Sequence, residues 1–142
     1  MLVTQKNQYA LRAIFELAKH RGKGLTKISD IAQAQHIPLR FLEVILSQLK
    51  RSGLVESKRG YTGGYALLRP PEQITVGEVF RFGGKDTSPV DCIACISRGK
   101  CPSRNKRSCA FMPMWKKVQD SIFDIYDSTT IADLLAQEKQ DA

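Results

Sequence analysis

The sequence predicts a mainly α-helical protein carrying one small β-hairpin. Apolar residues recur at helical spacing through residues 4–52 and again through 113–126. A glycine-rich turn at residues 59–64 separates two short stretches of strand character, and Arg69-Pro70-Pro71 ends the second of them.

The first helix is expected from Thr4 to about His20. Thr4 offers a hydroxyl to a free N–H of the first turn. Ala10, Ile14, Leu17 and Ala18, with Leu11 and Phe15 beside them, supply the apolar face, and Arg21-Gly22-Lys23-Gly24 ends the helix. A short second helix is expected at residues 27–34, capped by Thr26, with Ile28 and Ile31 on its buried side. Gln35-His36-Ile37-Pro38 forms a turn. Pro38 enters the first turn of the next helix, where its missing N–H has no partner to lose.

The third helix is expected from Pro38 to Ser52, stopping at Gly53. Phe41, Leu42, Ile45, Leu46 and Leu49 share one face, while Arg40, Glu43, Ser47 and Lys50 form a polar stripe on the other. Leu54 to Lys58 reads as a strand, Tyr65 to Leu68 as its return, and the turn between them is basic. Helix, short helix, turn, helix and hairpin follow one another as in a winged helix-turn-helix.

Thr75-Val76-Gly77-Glu78 matches a capping box and opens a short helix toward Phe82. Residues 83–109 lack periodicity. A long helix is expected from Pro113 to Tyr126, where Trp115, Val118, Ile122 and Ile125 repeat at three, four and three, the spacing of a dimerisation seam. Thr130 and Asp133 mark a second capping box before a short final helix, and residues 137–142 are expected to fray. The expected division is a winged helix-turn-helix at 1–82, a cysteine-rich sensor loop at 83–112, and a dimerisation helix with a short final helix at 113–142.

The formal net charge of the 142 residues is +8. Residues 1–69 hold twelve Lys and Arg against four Asp and Glu, and the remainder holds ten against ten, so the whole excess lies in the first half. Such a surface attracts a polyanion, double-stranded DNA above all. Arg40 is the one long donor in the first turn of the third helix and suits a guanine edge. Lys50, Arg51 and Lys58 suit phosphates, and Arg59 at the hairpin tip suits a narrow minor groove. Phe41, Ser47, Gly60 and Tyr61 complete the candidate DNA-facing set. The glycine spacing matches neither phosphate-binding fingerprint, and no nucleophile–base pair or paired carboxylates point to an enzyme. No run of 18 apolar residues predicts a membrane span, and the opening Met1-Leu2-Val3-Thr4-Gln5-Lys6 does not read as an export signal. A reducing cytoplasm is the expected compartment.

Cys92, Cys95, Cys101 and Cys109 lie within 18 residues as C-x2-C-x5-C-x7-C. In a reducing compartment such a cluster reads as a metal site or a thiol switch before it reads as disulfides. Four thiolates suit an iron–sulfur cluster or tetrahedral zinc. Arg98, Lys100, Arg104, Lys106 and Arg107 would favour the deprotonated thiols. Both histidines, His20 at a helix end and His36 in a turn, read as structural.

Several stretches taken together resemble one family. They are Thr4-x4-Tyr9-Ala10, Pro38-Leu39-Arg40-Phe41-Leu42-Glu43, Leu46-x2-Leu49-Lys50-x2-Gly53-Leu54-Val55, Arg59-Gly60-x2-Gly63-Gly64-Tyr65, Ile74-x-Val76-Gly77-Glu78-Val79 and Cys109-x5-Trp115. The chain resembles the bacterial winged-helix family of iron–sulfur assembly regulators and nitric-oxide-sensing repressors. The resemblance implies a homodimer held by the long helix, a recognition helix at residues 38–52 and a wing arginine at Arg59; a two-fold dimer on the seam in turn predicts a palindromic operator. The resemblance also implies a repressor with a cluster on three cysteines and a fourth, non-cysteine ligand.

This chain departs from the family pattern at that site. The second cysteine gap is two residues longer, Met112 stands where the assembly regulators place histidine, and Gln8 stands where the nitric-oxide sensors place an acid. Cys92 is then the expected fourth ligand, and Cys95, in the same turn, can exchange that role with it. The cofactor expectation is [2Fe–2S], with [4Fe–4S] and zinc as alternatives. The competing function is a zinc-stapled or cluster-free protein acting through a partner protein or a thiol redox switch.

Overall fold

A computed structural model describes residues 3–83 and 109–142. Its elements are α1 (Gln5–Lys19), α2 (Ile28–Gln35), α3 (Leu39–Arg51), β1 (Val55–Lys58), β2 (Gly64–Leu67), a 3-10 turn (Pro71–Gln73), α4 (Val76–Phe80), a second 3-10 turn (Arg81–Gly83), α5 (Met112–Ser128) and α6 (Ile131–Asp141). The order is that of a winged helix-turn-helix followed by two C-terminal helices. Among the described residues no helix is long and apolar enough to cross a membrane.

The N-terminal helix forms as its residues dictate: the Thr4 hydroxyl accepts from the Asn7 N–H at 3.2 Å and His20 is the C-cap. Its buried face, Ala10, Ala13, Ile14 and Leu17, meets Ile31 of α2, Leu42, Leu46 and Leu49 of α3, and Leu54, Val55 and Leu67 of the hairpin in one core. Strands β1 and β2 pair antiparallel, from Val55 opposite Leu67 to Lys58 opposite Gly64. Ile131 of α6 is fully buried in the same core, so the chain returns after α5 to the helix with which it began.

The structure corrects several details. Thr26 does not cap α2: its N–H and C=O pair with Tyr65 O and N at 2.9 and 2.8 Å, which holds it extended beside the wing. Lys27 takes the N-cap position without a side-chain bond. Phe41 is not on the core face. Leu42, Ile45, Leu46 and Leu49 fill the stripe that α1 covers, and Phe41 stands on its shoulder, 61% exposed.

The capping box at Thr75 is half made. The Thr75 hydroxyl accepts from the Glu78 N–H at 3.1 Å, but the Glu78 carboxylate accepts from Arg69, a charge-assisted bond that a neutral cap N–H does not match. The box at Thr130 and Asp133 is complete, at 3.0 and 2.9 Å. The tail expected to fray continues α6 as far as Asp141, where the Gln137 amide reaches the Asp141 carboxylate.

Candidate nucleic-acid interface

The exposed face of α3 and the wing meet in a cleft of about 610 Å³. Ser47 and Lys50 line it from α3, and Ser57, Lys58, Arg59, Gly60 and Tyr61 line it from the hairpin. The turn closes because Gly63 donates its N–H to Gly60 O at 3.0 Å and because Gly63 lacks a side chain. A Cβ there would run into the Lys58 carbonyl oxygen. The third wall is the start of α2, with Lys27 and Ser29. The Thr26–Tyr65 pairing brings that start to the wing, and the Lys27 ammonium lies 5.0 Å from the centre of the 92%-exposed Tyr61 ring.

Lys27, Lys50, Lys58 and Arg59 are all exposed, and among the described residues none forms an ion pair. Four uncompensated cations around one concave surface attract a polyanion and leave their donors free for it. Of the predicted residues, the structure therefore gathers Ser47, Lys50, Lys58, Arg59, Gly60 and Tyr61 here. Arg51 borders the adjoining groove with Glu43, Val44, Ser47 and Gln48. Arg40 and Phe41 are exposed nearer the start of α3; Phe41 lines a separate apolar cleft with Tyr9, Val44 and Ile45. Sequence reading missed Lys27 and Ser29. No local signal marks them, because the strand-like bridge at Thr26 is a tertiary pairing.

Cys109 is half-buried with a free thiol, and its carbonyl accepts from the Met112 N–H at 3.2 Å at the start of α5. Cys92, Cys95 and Cys101 lie outside the described residues. A thiolate donor at the head of α5 suits iron or zinc. Among the described residues, no three His, Cys, Asp or Glu side chains converge.

Helix α5 buries no residue fully. Met112, Trp115, Gln119, Ile122, Phe123 and Tyr126 are half-buried, whereas Phe111, Met114, Val118 and Ile125 are exposed by 66, 49, 37 and 63%. The predicted seam is thus split. Trp115 and Ile122 sit at the edge of the half-buried face, and Val118 and Ile125 lie on an open apolar stripe.

Comparison with known proteins agrees with this geometry. The sequence profile described as Rrf2, iron-dependent transcriptional regulator, matches residues 3–137. The chain belongs to the Rrf2 family. It is similar to the HTH-type transcriptional regulator CymR of Bacillus subtilis, 34% identical over 134 residues, covering 94% of this chain and 89% of that protein. Among solved structures it resembles T. potens IscR, with a TM-score of 0.79, 32% identity and coverage of 97% and 88%. It also resembles the B. subtilis CymR structure, described as that of the global cysteine regulator, with a TM-score of 0.77, 31% identity and coverage of 96% and 98%. As an Rrf2 protein the chain is a DNA-binding transcriptional regulator and not an enzyme.

Proposed function

We propose that this Rrf2 protein is a cytoplasmic, homodimeric repressor of a palindromic operator whose DNA affinity is set by an iron–sulfur cluster, [2Fe–2S] in the first instance, on Cys92, Cys95, Cys101 and Cys109. Residues 1–82 are the reading unit, 83–112 the sensor loop and 113–142 the dimerising unit. The observation that carries the DNA-binding part is the cleft in which Lys27, Lys50, Lys58 and Arg59, without an ion pair among the described residues, stand around the recognition helix, the wing and the start of α2. The exposed stripe on α5 supports the dimer, since a monomer of this size gains nothing from four large apolar side chains in water.

Arg40 and the α3 face read base edges, Arg51 and the lysines hold phosphates, and Arg59 enters the minor groove. Bound at the head of α5, a cluster supplies a redox-sensitive tie between the loop and the dimer helix. What this chain supplies is the thiolates and the helix that carries the tie to the reading unit.

The likeness to a global cysteine regulator favours a second reading, in which the same thiols act as a switch without a cluster. One experiment separates the two. Protein purified without oxygen is assayed for iron, zinc and visible absorption, then titrated onto duplex DNA before and after removal of metal. Iron with a cluster spectrum and a change of about 5–150-fold in affinity supports the first reading. Colourless protein whose affinity follows only thiol oxidation supports the second.

A further inference from the structure

The short helix α4, the last helix of the reading unit, lies against the dimer helix, and side chains grip it from both sides. On one side Arg69, just after β2, donates to the Glu78 carboxylate. On the other the Arg81 guanidinium donates to both oxygens of Asp127 near the end of α5, at 2.6 and 3.0 Å. The same guanidinium lies 4.9 Å from the centre of the Phe123 ring, and Phe80 meets Tyr126 edge-on at 4.9 Å.

Backbone bonds fix the joint lengthwise: Val76 N to Thr129 O at 2.9 Å and Ile131 N to Ile74 O at 2.9 Å. Gly77 is buried at the centre. A Cβ at this position would strike the Asp127 carboxylate and come within 2.9 Å of Arg81 Nη1. Val76-Gly77-Glu78 belongs to the capping box read from the sequence and lies outside the cleft between α3 and the wing.

We propose that α4 is the joint through which the dimer helix sets the position of the reading unit on DNA, with Arg81 and Asp127 as positioning residues and Gly77 as the gap that admits the Asp127 carboxylate. This rests on the reading of α5 as the dimer helix. A bidentate guanidinium–carboxylate pair fixes orientation as well as distance, so the angle between α5 and α4 has one preferred value. Palindrome binding requires two reading heads at a defined separation. Loosening the joint therefore costs affinity for the palindrome while sparing each head's hold on its own half-site. The Arg69–Glu78 link carries the same constraint to the base of the wing.

The test uses the full-length protein, a palindromic duplex selected by it from a random library, the isolated half-site, and versions with the half-sites moved by one base pair. Asp127→Ala and Gly77→Ala should remain dimeric and bind the half-site within about twofold of native. Both should lose on the order of tenfold on the palindrome and tolerate the altered spacing. The double variant should be no worse than Asp127→Ala alone, because removing the carboxylate empties the space the new Cβ needs. If Gly77→Ala does not fold, Asp127→Ala and the conservative Asp127→Asn decide. Dimers of Asp127→Ala with native palindrome preference and native spacing overturn the joint. A native chain that is monomeric at micromolar concentration overturns the dimer reading on which the joint depends.

Discussion

Arg59 stands exposed at the rim of the cleft, one residue past β1. Its Ala variant should weaken duplex binding by about 1–3 kcal/mol, and the salt dependence of binding should become shallower. Unchanged affinity at about 100 mM salt would remove the wing from the interface. Residues in the core answer to a different test. Leu46 is completely buried between α1 and α3, and Leu46→Ala should cost about 2–5 kcal/mol in a urea melt. Neighbouring residues show how finely burial is divided: Leu42 is fully enclosed and Phe41 is open to solvent. Both are large and apolar, and the helical turn of about 100° between successive residues of α3 separates them.

Single elements hold at their ends. The box at Thr130 and Asp133 starts α6, and Thr130→Ala should lower stability by about 1 kcal/mol. Hydrogen bonds from the Thr130 backbone and hydroxyl hold the Asp133 carboxyl below its ordinary value of 3.8. The Arg81 guanidinium does the same to Asp127. A depressed folded pKa gives stability that is present above about 3.8 and lost as pH falls through the lower folded value. Urea midpoints should therefore drop as pH falls below about 4, and the combined Asp127→Asn/Asp133→Asn variant should show a flatter profile there. An unaltered profile would mean that neither cap nor clamp carries the acid sensitivity. Buried Glu16 binds α1 to its neighbours, accepting from Gln35 at 2.7 Å and pairing with His20 at 3.1 Å. Lys19 continues the link to Glu138 of α6 at 2.8 Å. His20, at the C-cap of α1, thus holds the Glu16 carboxylate one turn back.

For the molecule as a whole, assembly is the expectation with most at stake. Ile125 is the better probe of the dimer than Ile122, because Ile122 is already half-buried and Ile125 is 63% exposed. Ile125→Asp should leave the melting of each subunit nearly unchanged while light scattering shows monomers at micromolar concentration. A native chain that is already monomeric would make the stripe an ordinary surface and remove the palindrome. The sensor has its own probe in Cys109→Ser. Reconstituted without oxygen, this variant should lose cluster occupancy, and full occupancy would exclude Cys109 from the ligand set.

The order of elements, the caps at Thr4 and Thr130, the basic wing and two residues of the apolar α5 stripe, Val118 and Ile125, were legible in the chain itself, because each depends on spacing within a few residues. Spacing also placed Cys109 one helical turn before α5. What only the tertiary structure decided concerns groups with two local choices and one long-range partner. Glu78 had a cap N–H within reach and bound Arg69 instead. Thr26 had a helix to cap and paired with Tyr65, and so brought Lys27 to the cleft. Gly77 could have been any small residue until the fold placed the Asp127 carboxylate where its side chain would be. In each case a residue more than eight positions away offered the stronger bond or occupied the space, and no local periodicity records that competition.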